Sequence, residues 1–468
     1  MGTGPDLLIS GGLVLTLDEE RRAFDPGYVA IQGDKISGVG PLAQAPQGVA
    51  RSLSAEGRIV MPGLANAHTH LSQGLFKGLF DELSLREWLT LVLWPTLRAM
   101  DEASGYIAAR LALTELLKSG VTAVAAGEFS HPDHGTIDGV LRAVRESGIR
   151  GVVSRMAIDS PLAEPASQAV PVDCRDTLQV AVGELDRLRA TWDSDLVQVI
   201  PEALGVLRCT PDMVVAMAEY ALRHGTSMSM HVASSQGEVV GCRDRYGLGP
   251  VEQLDALGAL GPQLLMAHAI WLSDAEVSLV AERGTRVSHN PVSNLTYATG
   301  IARLRDLLAA GIPVGLGTDG VPTNNSQNLW ETMKFAMLIA KQREGDAEFG
   351  SAELAIELGT RGGARALGLE EIGALAPGMK ADLVLIDGNR ANLTPRATVV
   401  SNLVYAQDPS AVRTVLVGGR MVVDEGRVVA WDEDEVIHEA DRAAVDVMRR
   451  SNLVDWYQAR SQWKWTRG

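Results

Sequence analysis

Two histidines stand two residues apart in His68-Thr69-His70, shortly after the apolar run Ile59-Val60-Met61-Pro62-Gly63-Leu64. The same arrangement recurs three times. His231 follows Ser227-Met228-Ser229-Met230, His268 follows Leu264-Leu265-Met266-Ala267, and Asp319 follows Val314-Gly315-Leu316-Gly317-Thr318. Imidazole nitrogen and carboxylate oxygen are donors that Zn²⁺ or Fe²⁺ prefers. On a strand, His68 and His70 face the same side. Where such donors leave a position open for water, a divalent cation lowers the pKa of that water toward neutrality, giving hydroxide. The chemistry this predicts is hydrolysis at a metal centre.

Such a centre needs a scaffold that brings four distant chain positions together. Short apolar segments alternate with helical stretches, the pattern of βα units around a parallel sheet. Strands are expected near residues 59–66, 121–127, 150–158, 197–204, 227–233, 264–270, 285–289 and 312–318. Pro211 to His224, Asp274 to Arg283 and Ile301 to Ala310 carry apolar residues at helical spacing, with Gly284 and Gly311 placed as left-handed helix ends. Eight alternations predict an α/β fold, a (β/α)8 TIM barrel with chemistry at the C-terminal ends of its strands. Further helices are expected over Leu329 to Arg343, Ser351 to Leu367 and Glu435 to Arg449. The two chain ends read differently. Leu7 to Leu15, Tyr28 to Ile36, Ala381 to Asp387 and Val412 to Val422 are β-prone runs broken by glycine turns. They predict a small β-sandwich domain built from residues 1–60 and 375–430, a barrel over 61–374, and a helical tail over 431–468.

Composition narrows the partners. A net charge of −16 argues against nucleic acid or an anionic membrane surface. No apolar run is long enough to span a bilayer, and the first residues carry no signal-peptide pattern. Three cysteines, Cys174, Cys209 and Cys242, show no paired spacing, which fits a reducing cytoplasm. The expected partner is a small molecule, with the chain acting as a homo-oligomer.

Several blocks in order resemble the amidohydrolase superfamily: Pro62-Gly63-Leu64-Ala65-Asn66-Ala67-His68-Thr69-His70, Ala267-His268-Ala269, Ser288-His289-Asn290-Pro291-Val292-Ser293-Asn294-Leu295, and Leu316-Gly317-Thr318-Asp319-Gly320. The branch most similar is that of triazine hydrolases, atrazine chlorohydrolase-like, and S-adenosylhomocysteine/methylthioadenosine deaminases. Glu87-Trp88-Leu89, Trp94-Pro95 and Ala376-Pro377-Gly378-Met379-Lys380-Ala381-Asp382 extend the resemblance over nearly the whole chain. The resemblance implies that His68, His70, His231 and Asp319 bind one divalent metal ion, zinc ahead of iron. Asp319 would then take the water's proton and His268 would hydrogen-bond the nucleophile or the developing oxyanion. The fourth-strand end offers Glu202 and no lysine, so no bridge for a second metal is expected. Ser234, Glu238, His289, Gln73, Trp88 and Asn325 are candidates for contacting substrate or supporting the ligands. Leu75, Phe76, Leu79, Trp88 and Trp94 would line an apolar region after the first strand or pack beneath it. His131 and His134 lie in a loop after the second strand, His224 ends a helix, and His438 reads as surface.

Two departures from that branch bear on the substrate. The branch carries glutamate three residues after the fifth-strand histidine, where it moves a proton to a ring nitrogen; this chain has Ser234, with Glu238 four residues further on. Where its deaminases show Gly-Pro-His, this chain has Glu202-Ala203-Leu204-Gly205-Val206. The leading expectation is a metal-dependent amidohydrolase in which hydroxide attacks a heteroaromatic carbon with loss of ammonia, amine or halide. The alternative is hydrolysis of an exocyclic amide, urea or carbamate carbonyl in a xenobiotic-like substrate. A non-catalytic barrel relative is the third reading, and it conflicts with the intact ligand set.

Overall fold

The apolar run around Gly63 serves two sheets. In the computed structural model, which describes residues 5–79, 81–129, 132–160 and 170–460, the chain leaves one sheet at Pro62 and enters another at Leu64. A Cβ at Gly63 would lie 2.2 Å from Thr122, so glycine is needed for this close passage. The strand expected over 59–66 is therefore two strands.

In chain order the first five are β1 (Leu7–Leu15), β2 (Ala23–Gln32), β3 (Lys35–Pro41), β4 (Arg51–Ser54) and β5 (Arg58–Pro62). Eight more follow: β6 (Leu64–Thr69), β7 (Val121–Glu128), β8 (Arg150–Ala157), β9 (Val197–Ala203), β10 (Met228–Val232), β11 (Leu264–His268), β12 (Arg286–His289) and β13 (Val314–Leu316). The last are β14 (Leu383–Asp387), β15 (Val412–Val417), β16 (Arg420–Asp424) and β17 (Arg427–Val428).

The middle eight form a parallel sheet in strict chain order, β6 to β13. Their near-continuous burial, unlike an alternating pattern, is what a sheet covered on both faces requires. The ring comes together between its first and last strands just where the predicted ligands sit: the Asp319 amide donates to the His68 carbonyl at 2.9 Å. Strands from both chain ends join one nine-stranded sheet in the order β17-β16-β15-β14-β5-β1-β2-β3, with β4 also on β1. Val29, Ile31 and Ile36 share a buried core with Leu383, Leu385 and Leu416 from the other end of that order, so the sheet folds over on itself. A buried ion pair ties it to the barrel. Arg150 Nε and Nη2 donate to the two Asp382 oxygens at 2.7 and 3.0 Å.

Helix Pro211–His224 begins at Thr210, whose hydroxyl accepts from the Met213 amide, and ends at Gly225 with φ 59°. Helix Asp274–Arg283 has a reciprocal cap between Ser273 and Glu276 and ends at Gly284. The helix expected from Ile301 begins only at Leu304, because the Ile301 carbonyl is taken by Arg343. Helix Glu433–Arg450 lies on helix Glu102–Lys118, with Arg110 donating to Glu439 at 2.8 Å and Trp431 to Thr114 at 2.9 Å. Among the described residues, no helix is long and apolar enough to cross a membrane. Cys174, Cys209 and Cys242 are buried free thiols.

Candidate metal centre and substrate cavity

The sequence places His68 on β6, His70 one residue past it, His231 on β10, His268 at the end of β11 and Asp319 just beyond β13. The barrel brings all five to one mouth. Ring centroids of His68 and His70 are 4.8 Å apart, and those of His68 and His231 are 4.9 Å apart. His68 Nε2 lies 3.5 Å and His70 Nε2 3.3 Å from Asp319 Oδ1. Donors in a tetrahedral zinc shell, each ~2.0–2.1 Å from the ion, are themselves roughly 3.3–3.4 Å apart. Donor atoms of His68, His70 and His231, and of His68, His268 and Asp319, form two groups within which all lie no more than 4.8 Å apart.

The remaining ring nitrogens explain which atoms face inward. His70 Nδ1 donates to the Gly127 carbonyl, and His231 Nδ1 lies 3.3 Å from Glu202 Oε1. Such outer contacts fix the tautomer of a ligating histidine. His68 Nε2 is buried without a hydrogen-bond partner. A donor left bare in a polar cluster fits a missing cation rather than a packed core. Burial drives the His68 pKa down to about 3 and that of His231 well below the usual range, so both are neutral donors. His70 is equally buried, but Asp319 outweighs that effect and holds its pKa up at about 9. Burial also opposes ionisation of Asp319, yet the His68 and His70 nitrogens beside it keep its pKa well below the usual range. His70 is thus held cationic opposite an ionised carboxylate, a charge that a divalent cation would replace. The donor set fits a divalent metal ion.

The backbone is strained at this mouth. Ala233, His268 and Asp319 have φ of 50°, 76° and 61°, a left-handed region uncommon for non-glycine residues. A buried network holds Asp319 there. Thr69 Oγ1 and Gln327 Nε2 donate to its carbonyl at 2.9 and 3.1 Å, and the Gly320 amide donates to Oδ1 at 2.7 Å. Asn66 donates to Thr318, and Thr318 to Gln327. The sequence reading missed Asn66, Thr318 and Gln327. Their signal was available only as polar residues flanking the predicted strand ends.

A cavity of about 340 Å³ opens above Asp319, His70, His231 and His268. Trp88, Leu89 and Leu93 reach it together because Trp88–Leu93 is a π-helical turn, closed by the Trp94 amide on the Leu89 carbonyl. Phe129, Leu204, Val206 and Leu207 extend the apolar wall. Polar groups are few: Gln73, Ser234, Glu238, Tyr297 and Arg208 among them. Gln73, Trp88, Ser234 and Glu238 thus line this cavity. Glu238 is held by three donors, the amides of Ala233 and Ser234 and the Ser234 hydroxyl, at 3.1, 2.8 and 2.9 Å. Burial raises its pKa, against those hydrogen bonds. Arg208, Phe129 and Tyr297 were missed. A lone arginine in the apolar stretch Gly205-Val206-Leu207-Arg208-Cys209 was the readable clue.

Other candidates sit elsewhere. Asn325 is exposed and does not line the cavity. It accepts from the Gly78 amide at 2.8 Å and donates to Asp81 at 2.9 Å, pinning the loop after the first barrel strand. His289 is buried at the end of β12 and also does not line the cavity; burial pushes its pKa down to about 4. Trp94 packs in the core against Phe129. His224 packs on Tyr220 at its helix end. His131 lies outside the described residues.

Comparison with known proteins places this geometry. The amidohydrolase family model matches residues 59–422. The chain is 34% identical over 447 residues to a 5′-deoxyadenosine deaminase of Methanosarcina mazei, covering 96% of this chain and 99% of that protein. It is 36% identical over 437 residues to a 5-methylthioadenosine/S-adenosylhomocysteine deaminase of Syntrophobacter fumaroxidans, covering 92% and 96%. Among solved structures, an adenosine deaminase of Xanthomonas campestris with bound zinc superimposes with a TM-score of 0.87 at 28% identity, over 95% of this chain and 99% of that one. A zinc complex of atrazine chlorohydrolase from Arthrobacter aurescens shares the fold, with a TM-score of 0.87 at 24% identity over 94% and 100%. The chain belongs to the amidohydrolase family and is a hydrolase of carbon–nitrogen bonds.

Proposed function

We propose that this enzyme displaces an amino, alkylamino or halide substituent from a heteroaromatic ring carbon by water. Its relatives' names, deaminases of adenosine-type compounds, support that chemistry. The observation that carries the reading is the Ser234–Glu238 pair. Ser234 lines the cavity, and its hydroxyl is hydrogen-bonded at 2.9 Å to a buried carboxyl seven residues after His231. The expected obstacle was a serine where an acid is needed. The structure sets an acid one hydrogen bond behind it.

One divalent cation, zinc ahead of iron, held by His68, His70, His231 and Asp319, would supply Lewis acidity and lower the pKa of the attacking water. Glu202 is engaged by Ser154 and faces His231, which leaves it a supporting role rather than a second metal site. Asp319 accepts the proton of the attacking water. His268 donates from Nδ1 to Asn294 Oδ1 at 2.8 Å, so its Nε2, 3.9 Å from Asp319 Oδ2, accepts a hydrogen bond from that water and orients it. As the carbon–oxygen bond forms, the ring nitrogen takes a proton from Ser234 Oγ, and Glu238 replaces it. The leaving amine departs with the proton from Asp319, and as the ring carbonyl forms the adduct's remaining O–H proton returns to Glu238 through Ser234.

The donor form of Glu238 is the protonated one. Activity is therefore present below its folded-state pKa and lost as pH rises through it. Because burial moves that pKa up, the active range extends above that of an ordinary carboxylic acid. Ser234→Ala and Glu238→Gln should each lower kcat for ammonia release from adenosine-type nucleosides or aminotriazines by about 10²- to 10⁴-fold. If Ser234→Ala keeps the wild-type rate, or only ureas and carbamates are turned over, the enzyme instead cleaves an exocyclic carbonyl, which needs no ring proton.

A further inference from the structure

We infer that the N-terminal end of the barrel carries a second ligand site, for a small oxyanion, built around Arg286 and Thr226. It lies at the opposite end of the strands from the metal centre and does not depend on the reaction proposed there. Arg286 is the first residue of β12, and Thr226 stands two residues before β10. Both line a cavity of about 520 Å³, together with Ser227, Gln263, Gly368 and Arg365. Distances place the guanidinium in its wall. Nη2 donates to Ser227 Oγ at 2.8 Å and to the Gln263 carbonyl at 3.0 Å. A Cβ at Gly368 would lie 2.7 Å from Nη1, so glycine is what leaves room beside that nitrogen.

The rest of the donor set is unmatched. Arg286 and Thr226 are only 8% and 7% exposed, yet Arg286 Nε and Thr226 Oγ1 are buried with no hydrogen-bond partner. A buried polar group left unpaired costs its full desolvation, so two in one cavity wall call for a ligand with acceptor atoms. No carboxylate of the chain supplies them. Burial alone acts on the Arg286 pKa, pulling it down to about 10, so the side chain stays cationic at neutral pH. Glu370 also borders the cavity but forms no ion pair with Arg286 among the described residues. Helices Pro211–His224 and Asp274–Arg283 turn their C-terminal ends to this cavity at Gly225 and Gly284, and a cation suits those ends. Their carbonyls nevertheless leave Nε and the Thr226 hydroxyl unpaired. Ser227, which accepts from Nη2, keeps its own hydroxyl hydrogen to donate. An oxyanion offers oxygens to the guanidinium and to both hydroxyls, with exposed Arg365 adding a second positive charge at the rim.

The test is titration calorimetry on the metal-loaded full chain, with inorganic phosphate and, separately, acetate as probes at constant ionic strength. Wild type should bind at least one of them, and its melting temperature should rise with the concentration of that probe. The stronger probe tells whether the site takes a phosphate group or a carboxylate. Arg286→Met should weaken the binding by about 10- to 100-fold, the range of a charge-assisted hydrogen bond. Thr226→Val keeps the shape and removes only an unpaired hydroxyl. Without the anion it should be at least as stable as wild type, and it should bind the anion about 3- to 10-fold more weakly. A wild type that binds neither probe overturns the inference. So does binding that survives both substitutions, which would put the anion at the metal centre. If Arg286→Met fails to fold, Thr226→Val decides alone, and wild-type affinity in that variant would mean that Arg286 only offsets the helix ends.

Discussion

Asp319 carries three duties in one residue: it faces the histidine nitrogens, holds a left-handed backbone with φ 61°, and in the proposed reaction accepts a proton. Asparagine preserves two of them. Its side-chain oxygen can still face the cation, and asparagine tolerates φ above zero better than most residues. It cannot take the water's proton. Asp319→Asn should therefore keep its fold and about one equivalent of metal by elemental analysis, while kcat falls by about 10²- to 10⁴-fold. A near-normal rate would make Asp319 only a ligand, with the base elsewhere. The substitution that set the hardest question, serine for glutamate at position 234, shows why a residue read alone misleads. Ser234 is a poor acid, but its hydroxyl is bonded to buried Glu238, and the proposed reaction uses the pair as an acid relay.

At the scale of elements, the centre depends on how closely β13 approaches its neighbours. A Cβ at Gly317 would lie 2.4 Å from Asn290 Oδ1, 2.7 Å from Ser288 Oγ and 2.9 Å from His68 Cβ. None of these can retreat freely. Asn290 bonds Ser288 at 2.8 Å and approaches His268 at 3.4 Å, and His68 belongs to the metal cluster. Gly317→Ala should cost about 1–3 kcal/mol in chemical denaturation, as overpacking does. It should also weaken metal retention on dialysis. Stability loss with unchanged metal affinity would show that the strand end shifts without moving His68. The π-helical turn at Trp88–Leu93 plays the matching part on the opposite wall, since it carries Trp88, Leu89 and Leu93 onto one cavity face.

Across the whole molecule, barrel and end sheet are fastened by a charge pair out of water. Arg150 and Asp382 meet through two hydrogen bonds, and Asp382 also accepts from the Gly418 amide at 2.7 Å. Burial raises the Asp382 pKa and Arg150 opposes that rise. Removing one partner leaves the other buried and uncompensated. Asp382→Ala should cost about 3–5 kcal/mol in global stability. The double variant Arg150→Met/Asp382→Leu should recover much of that loss. A single variant as stable as wild type would mean that water reaches the pair and that the two sheets are held by apolar contact alone.

The amino-acid sequence by itself determined the barrel, its capped helices and the histidines and aspartate that gather at its mouth, because these rest on local signals. Apolar runs end at His68, His231, His268 and Asp319, while Thr210, Ser273, Gly225 and Gly284 mark helix ends through their own backbone preferences. Other features depend on residues far apart in the chain, and only the tertiary structure decided them. The break at Gly63 follows from contact with Thr122, and the strain at Asp319 is held by Thr69 and Gln327. The cavity joins Trp88, Arg208, Glu238 and Tyr297 from four separate loops and helices. Asn325 was read as a site residue, yet a helical turn over Val321–Asn324 carries it to the surface. Ligand chemistry is written in residue type and local spacing. Substrate chemistry is written in the company those residues keep across the barrel mouth, and that company exists only once the strands have closed.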